Sequence, residues 1–270
     1  MRVLLLVALL AASAENWAAA QTYSPATPVP RTTSVPELRW FAVQREVEER
    51  FKVGLDAESR GDWTAAAAEF ARVTELRPPE PKGSTAWYDL AIAYANLHRY
   101  DDAARALRAA LALDREFLAA MANLIAVDLA RGDLQEARAV ADRYVTLDPA
   151  SARALYSRGL VALQAGDAAA AREDFGKLLH ANPSYAIAHY DLALAEERLG
   201  NYDAAERELR SALNLAPAYA RARFALGVVL LRQGRHGAAR DEFSRAITDA
   251  SGDPALKNVA AAMRDAIKGP

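Results

Sequence analysis

The chain has 270 residues, of which 52 % are hydrophobic and 25 % are charged. This composition is enough to fill the core of one or two domains, and with 13 glycines and 12 prolines it excludes a disordered, collagen-like or low-complexity chain. A formal net charge of −2 argues against a nucleic-acid binder that works through a large basic excess, and the absence of cysteine excludes a disulfide scaffold, a cysteine metal site and a thiol nucleophile.

Residues 1–20 have the pattern of a secretory signal peptide. Arg2 is a short basic region, an apolar run follows, and small residues precede two cleavage sites, after Ala14 and after Ala20. The second site is preferred, because the first would leave an unusually short leader. The apolar run is about half the ~20 residues of a transmembrane helix, and a buried N-terminal helix is the alternative interpretation. We therefore expect a periplasmic or secreted protein, and export without disulfides favours the bacterial periplasm.

Residues 21–35 are rich in proline, threonine and serine, which predicts a flexible, partly extended linker. Ser34 and Glu37, with Pro36 between them, form a helix-start pattern, so the folded domain is predicted to span residues 36–270. Its first helix is long, and Trp40 and Phe41 are expected to cover the N-terminal end of the domain.

From residue 47 onward the sequence repeats with a period of 34 residues. The segment GDLQEARAVA begins at residue 132, and related segments begin at residues 166, 200 and 234. Three extra residues, from Pro81 to Gly83, are the single break in phase. The predicted repeats are 47–80, 84–117, 118–151, 152–185, 186–219 and 220–253.

Each repeat is predicted to form two helices joined by a tight turn. Position 15 is glycine in five repeats of six, and position 20 is alanine in all six, which indicates two closely packed helices. Position 8, on the first helix, is mostly small, and position 24, on the second, is mostly large. Position 7 supplies further apolar residues, starting with Val53. Proline at position 32 ends four repeats: Pro78, Pro149, Pro183 and Pro217.

This pattern resembles the tetratricopeptide repeat family over residues 47 to about 253. The resemblance implies an all-α, right-handed superhelical solenoid of six helix-turn-helix repeats. Asp253 and Pro254 then begin an amphipathic helix over residues 254–268, which is expected to cap the last repeat. Its apolar stripe consists of Leu256, Val259, Ala260, Met263 and Ile267.

In this family the first helices line the concave side of the superhelix, and positions 2, 5, 9, 12 and 13 face into it. Aromatic residues at position 5 and aliphatic residues at position 9 favour a groove for an amphipathic helix or an extended apolar segment. Two alternatives are that some of these residues pack against neighbouring helices and that the N-terminal segment fills the groove. The predicted groove residues are Phe51, Leu55, Tyr88, Ile92, Tyr156, Leu160, Tyr190, Leu194, Phe224, Val228, Arg221 and Arg232.

Arg198, Arg221 and Arg232 would make one end of the groove basic, which would orient a peptide with an acidic stretch. The alternative is a solvated helix surface with local ion pairs. The carboxylate clamp of relatives that bind acidic chaperone tails is not matched, so binding through that clamp is disfavoured.

Three charged residues depart from the apolar pattern of the repeats. Arg158 stands at position 7, and Asp128 and Glu196 stand at position 11 of the adjacent repeats. They predict a partly buried ion cluster, with separate contact to water as the alternative.

The sequence holds no metal-ligand spacing or catalytic motif, and none of its four histidines stands outside the repeat pattern. Neither catalytic residues nor cofactors are predicted. The favoured function is a non-enzymatic scaffold or adaptor for another exported protein, in envelope assembly or secretion. The alternative is a self-association module that forms homo-oligomers through the same groove. An enzyme or metal protein would depend on His180 or His189.

Overall fold

A computed structural model describes residues 35–267, and this part of the chain consists of thirteen α-helices without a β-strand. The signal peptide predicted for residues 1–20 and nearly all of the predicted linker lie outside the described residues. Contacts between Cα atoms divide the chain into two units, one up to Leu147 and one from Asp148. None of the helices in the described part is both long and apolar enough to cross a membrane.

The first unit contains three repeats, and each helix packs against the next one in the chain. Its helices are α1 (Val35–Ser59), α2 (Trp63–Glu75), α3 (Lys82–Asn96), α4 (Tyr100–Leu113), α5 (Leu118–Arg131) and α6 (Leu134–Leu147).

The second unit contains three repeats and one additional helix, again packed in chain order. Its helices are α7 (Ala152–Ala165), α8 (Ala168–Ala181), α9 (Ala186–Arg198), α10 (Tyr202–Leu215), α11 (Ala220–Arg232), α12 (His236–Asp249) and α13 (Pro254–Ala266). Helices α7, α9 and α11 are the first helices of their repeats, as α1, α3 and α5 are in the first unit.

The turns within the repeats explain the regular spacing of glycine. The five position-15 glycines have φ between 72° and 87°, the left-handed region that a side chain disfavours. In the second repeat His98 occupies this position and adopts φ 58°. Side chains of Asp62 and Asp167 accept hydrogen bonds from backbone N–H groups and thereby cap the helices that follow the turn.

Inside each repeat, the residue sizes at positions 8 and 24 are complementary. A Cβ atom added to Gly159 would lie 2.6 Å from Cε1 of Phe175, so the ring occupies the space of the missing side chain. Gly54 with Phe70 and Gly227 with Phe243 repeat this arrangement. The third repeat reverses it with Ile125 and Ala141, both buried, and all six position-20 alanines are completely buried.

The two ends of the described part differ from expectation in three places. Val53 is 50 % exposed, because no preceding repeat covers the first one within residues 35–267. Trp40 is 51 % exposed and covers the N-terminal end less than expected, whereas Phe41, whose ring meets that of Trp40, is half-buried. In α13, Asp253 caps the helix and Met263 and Ile267 pack on the core as predicted, whereas Val259 faces solvent because one face of the last helix has no neighbour.

Candidate functional site

In the first unit, the unit's own helices cover most of the predicted groove residues. Phe51 is buried with its ring edge against Phe70, and Tyr88 is buried with its ring 4.9 Å from that of Phe117. Ile92 is also buried, and Leu55 is half-buried. Burial rules out direct contact of Tyr88 and Ile92 with a partner in this conformation. Phe51, Tyr88 and Ile92 therefore match the alternative interpretation, in which residues at groove positions pack against neighbouring helices.

In the second unit, the same positions divide between the core and the surface. Tyr156 and Leu160 on α7 are buried. Tyr190 and Leu194 on α9, and Phe224 and Val228 on α11, remain half-buried. We call the last four residues the α9/α11 surface. Within residues 35–267, these four and Leu55 are the apolar residues of the predicted groove that are not buried.

The sequence analysis missed aromatic residues at the end of the repeats, which pack against the position-5 tyrosines. The ring of Tyr219 lies against that of Tyr190 with centroids 5.1 Å apart, and the ring of Tyr185 lies against that of Tyr156 at 5.5 Å, both pairs being tilted. Tyr185 and Tyr219 both stand at position 34, as Phe117 does. The aromatic recurrence at position 34 was the signal available in the sequence.

A second missed feature is a row of polar residues at position 6, next to the aromatic row. Asn123 and Asp191 are almost fully buried, as are Asp89 and Ser157. In the first unit Asn123 Nδ2 donates to Tyr88 Oη at 3.1 Å, and in the second Tyr156 Oη donates to Asp191 Oδ2 at 2.8 Å. The tyrosine of one repeat thus bonds the polar residue of the next, which fixes neighbouring repeats in register.

The carboxyl group of Asp191 is a weaker acid than usual because it is buried. Burial raises its pKa from 3.8 to about 7, although the hydrogen bond from Tyr156 acts in the opposite direction. Burial and the nearby Asp191 charge raise the pKa of Tyr190 to about 12 and that of Tyr156 further. Both hydroxyl groups therefore stay protonated at neutral pH, and that of Tyr156 donates to Asp191.

The arginines at the predicted basic end pair with groups of the protein itself. Arg221, half-buried, lies 3.5 Å from Asp253, and Arg232 lies 4.0 Å from Glu197. Arg198 donates to the carbonyl oxygen of Leu163. This pattern matches the alternative of local ion pairs, and a role of these arginines in partner binding stays a prediction.

The predicted ion cluster is wrong, because its three members take other partners. Asp128 Oδ1 accepts from Arg131 at 2.7 Å. Arg158 makes two hydrogen bonds, of 2.8 and 2.6 Å, to the buried Asp174 on the second helix of its own repeat. Glu196 accepts from Asn201 at 2.7 Å.

An enzymatic or metal-binding role was expected to depend on His180 or His189. Both ring nitrogens of His189 are engaged, Nδ1 with Glu208 at 2.6 Å and Nε2 with the carbonyl oxygen of Pro183 at 2.9 Å. His180 is exposed. Among the described residues, no group of three or more histidine, aspartate or glutamate side chains has the arrangement of a metal site.

The chain matches the tetratricopeptide repeat family model in five overlapping segments: residues 52–115, 88–152, 127–186, 156–213 and 190–254. These segments cover well over half of the chain, which therefore belongs to the tetratricopeptide repeat (TPR) family. The predicted all-α TPR fold is thereby confirmed. A comparison with curated proteins finds no match.

Solved structures show the same fold. A TPR protein from Parabacteroides merdae ATCC 43184 superimposes with a TM-score of 0.68 at 19 % identity, covering 82 % of this chain and 98 % of that one. A thermophilic TPR protein of Thermus thermophilus, TTC0263, gives 0.57 at 23 %, covering 67 % and 98 %. A chain from the APC/C hetero-tetramer Cut9–Hcn1 gives 0.66 at 20 %, covering 83 % of this chain and 43 % of that one.

Proposed function

We propose that this protein is a non-enzymatic scaffold of the bacterial periplasm that binds an apolar segment of another exported protein. The α9/α11 surface carries the proposal. It presents two aromatic and two aliphatic side chains, all half-buried, at positions that face the binding side in this family. TPR repeats serve protein–protein interaction, and one structural neighbour belongs to a hetero-tetramer.

The chemistry of the surface defines the segment that fits it. Tyr190 and Phe224 are large and rigid, so they bury much apolar area at a small cost in conformational entropy. Leu194 and Val228 add flat aliphatic contact, and Arg221 lies at the edge with its charge partly exposed. An amphipathic helix or an extended apolar segment with an acidic residue at one end would satisfy these groups.

The pattern of the N-terminal sequence supports this location. A leader cleaved after Ala20 would deliver the chain to the periplasm, where a binding module without cysteine would take part in envelope assembly or secretion. The N-terminal residue of the protein recovered from an osmotic-shock fraction tests this location. Gln21 is expected at the new N-terminus, and an intact Met1 in the cytoplasmic fraction contradicts export.

Cross-linking capture in native envelope extract tests the binding surface. The wild-type chain from Gln21 onward is compared with the variant Leu194→Glu/Val228→Glu. The matched control is Leu199→Glu/Leu215→Glu, because Leu199 and Leu215 are exposed leucines of the same unit that are not among the predicted groove residues. We avoid changes at Tyr88 and Tyr156, since truncating buried aromatic side chains would leave cavities.

We expect the wild type and the control to recover the same partner and the Leu194/Val228 variant to lose it. Equal recovery by all three proteins contradicts binding at the α9/α11 surface. Recovery of this chain alone would instead support self-association. Light scattering over a dilution series then measures the homo-oligomer directly.

A further inference from the structure

A cavity lies at the C-terminal end of the second unit, where α11, α12 and α13 meet. Its volume is about 430 Å³, which falls within the range of about 300–1,000 Å³ that is typical of ligand pockets. The lining is mostly apolar and consists of Leu231, His236, Met263, Ala266 and Ile267. None of these five residues is buried, so a side chain from outside the protein can reach the cavity.

The repeat register explains why the protein itself leaves this space open. His236 stands at position 17, the first residue of the second helix of its repeat. Four of the other five repeats have a large apolar side chain there: Trp63, Tyr100, Leu134 and Tyr202. The rings of Trp63, Tyr100 and Tyr202 pack against the core. Because His236 is exposed, no ring from position 17 covers the core of the last repeat.

The cavity is continuous with the α9/α11 surface. Phe224, Val228 and Leu231 are spaced i, i+4 and i+7 along α11, so they share one face of this helix. The first two belong to the α9/α11 surface, and Leu231 lines the cavity. Val228 and Leu231 are separated by only ~4.5 Å of helix rise. A segment that lies on the surface can therefore place its next side chain in the cavity.

We propose that this cavity receives an aromatic side chain of the partner segment that binds the α9/α11 surface. The inference rests on the proposed function and adds the chemical class of one partner residue. The aromatic ring would contact the aliphatic groups of Leu231 and Ile267 and the thioether of Met263, a favourable sulfur–aromatic pair. An aromatic side chain anchored in a pocket typically contributes much of the binding energy of an interface.

The variant His236→Tyr tests whether the cavity accepts a ring, because it restores the residue of Tyr100 and Tyr202. The matched control is His180→Tyr, since His180 is an exposed histidine of the same unit that does not line the cavity. We expect the midpoint of thermal unfolding to rise by about 2–4 °C in His236→Tyr and to stay constant in the control. An unchanged or lowered midpoint in His236→Tyr shows that a ring does not settle in the cavity and overturns the proposal.

Fluorine NMR with N-acetyl-para-fluorophenylalanine amide tests the cavity as a binding site for an aromatic side chain. We expect this probe to bind the wild type and His180→Tyr, and to bind His236→Tyr roughly tenfold more weakly, because the new ring occupies its place. Failure of the probe to bind the wild type overturns the proposal, as does equal affinity for all three proteins. Equally efficient displacement by N-acetyl-leucine amide and by N-acetyl-phenylalanine amide overturns the aromatic preference.

Cross-linking capture in envelope extract links the cavity to the proposed function. We expect His236→Tyr to lose the partner that His180→Tyr and the wild type recover. If His236→Tyr keeps the partner and Leu194→Glu/Val228→Glu loses it, the proposed function stands and the aromatic anchor is wrong.

Light scattering distinguishes a partner protein from a second copy of this chain. Trp40 is 51 % exposed, so another copy could supply an aromatic ring to the cavity. We expect the wild type and Trp40→Ala to have the same mass over a dilution series. Self-association of the wild type that is lost in both Trp40→Ala and His236→Tyr assigns the cavity to a second copy and overturns the proposal.

Discussion

In both units a tyrosine at position 5 is hydrogen-bonded to a buried polar residue of the next repeat, but the polar group differs between the units. In the first unit the buried partner of a position-5 tyrosine is the amide of Asn123, and in the second it is the carboxyl group of Asp191. Both bonds join residues 35 apart and hold one repeat to the next. An amide cannot ionise, whereas a buried carboxyl group can, so the same geometry depends on pH in the second unit alone.

The largest effect is expected when this difference is removed with Asp191→Asn. The folded-state pKa of Asp191, about 7, lies above its unfolded value, so its contribution is full below pH ~4 and is lost as the pH rises through about 7. The variant keeps an acceptor for Tyr156 and cannot ionise. It should gain roughly 2–4 kcal/mol in the free energy of unfolding at pH 8 and almost nothing at pH 4. Urea unfolding at both pH values measures this, and an equal change at both contradicts it.

The reciprocal change, Asn123→Asp, should make the stability of the first unit depend on pH. Asn123 is 1 % exposed, so burial would raise the pKa of the new carboxyl group. We expect a loss of roughly 1–3 kcal/mol at pH 8 and a smaller loss at pH 4. Pulse proteolysis in urea, read from fragments of each unit, checks it. Unchanged stability at pH 8 would show that the site is hydrated.

A smaller effect is expected from removing the hydroxyl groups. Tyr156→Phe leaves Asp191 without its donor. We expect a loss of about 1–3 kcal/mol, against about 0.5–1.5 kcal/mol for Tyr88→Phe, because the lost partner is a carboxyl group in one case and a neutral amide in the other. If both variants lose the same free energy of unfolding in urea at pH 8, the charge of the acceptor has no influence on the strength of the hydrogen bond.

The smallest effect is expected when a hydroxyl group is added with Phe51→Tyr, because Phe51 stands at position 5 of the repeat before the buried Asp89. The added hydroxyl group would stand at position 5, where the hydroxyl groups of Tyr88 and Tyr156 make their hydrogen bonds. It should raise the free energy of unfolding of the first unit, measured in urea, by about 0.5–1.5 kcal/mol. A destabilised variant would show that the ring edge against Phe70 leaves no room for the hydroxyl group.

The repeat pattern predicted the helices well because it depends on local requirements. Glycine at position 15 supplies a positive φ, and alanine at position 20 allows close helix packing, so spacing alone located both helices of each repeat. Even the reversed pair of Ile125 and Ala141 is visible in the sequence as an exchange of large and small residues.

The site was harder to predict because burial depends on the next repeat. Tyr88 and Tyr190 occupy the same position, yet Tyr88 is covered and Tyr190 is half-buried. Arg158 finds its partner 16 residues away on the second helix of its repeat, whereas the sequence suggested partners on adjacent first helices. Such pairings depend on side-chain direction, which periodicity does not specify.

Covalent footprinting of the chain with and without its captured partner tests the binding surface most directly. Carbene labelling modifies exposed side chains, and its sites are read by mass spectrometry. With the partner present, labelling should fall at Leu194, Phe224 and Val228 and stay constant at Leu199 and Leu215. Protection confined to the second helices, α8, α10 and α12, would contradict binding at the α9/α11 surface.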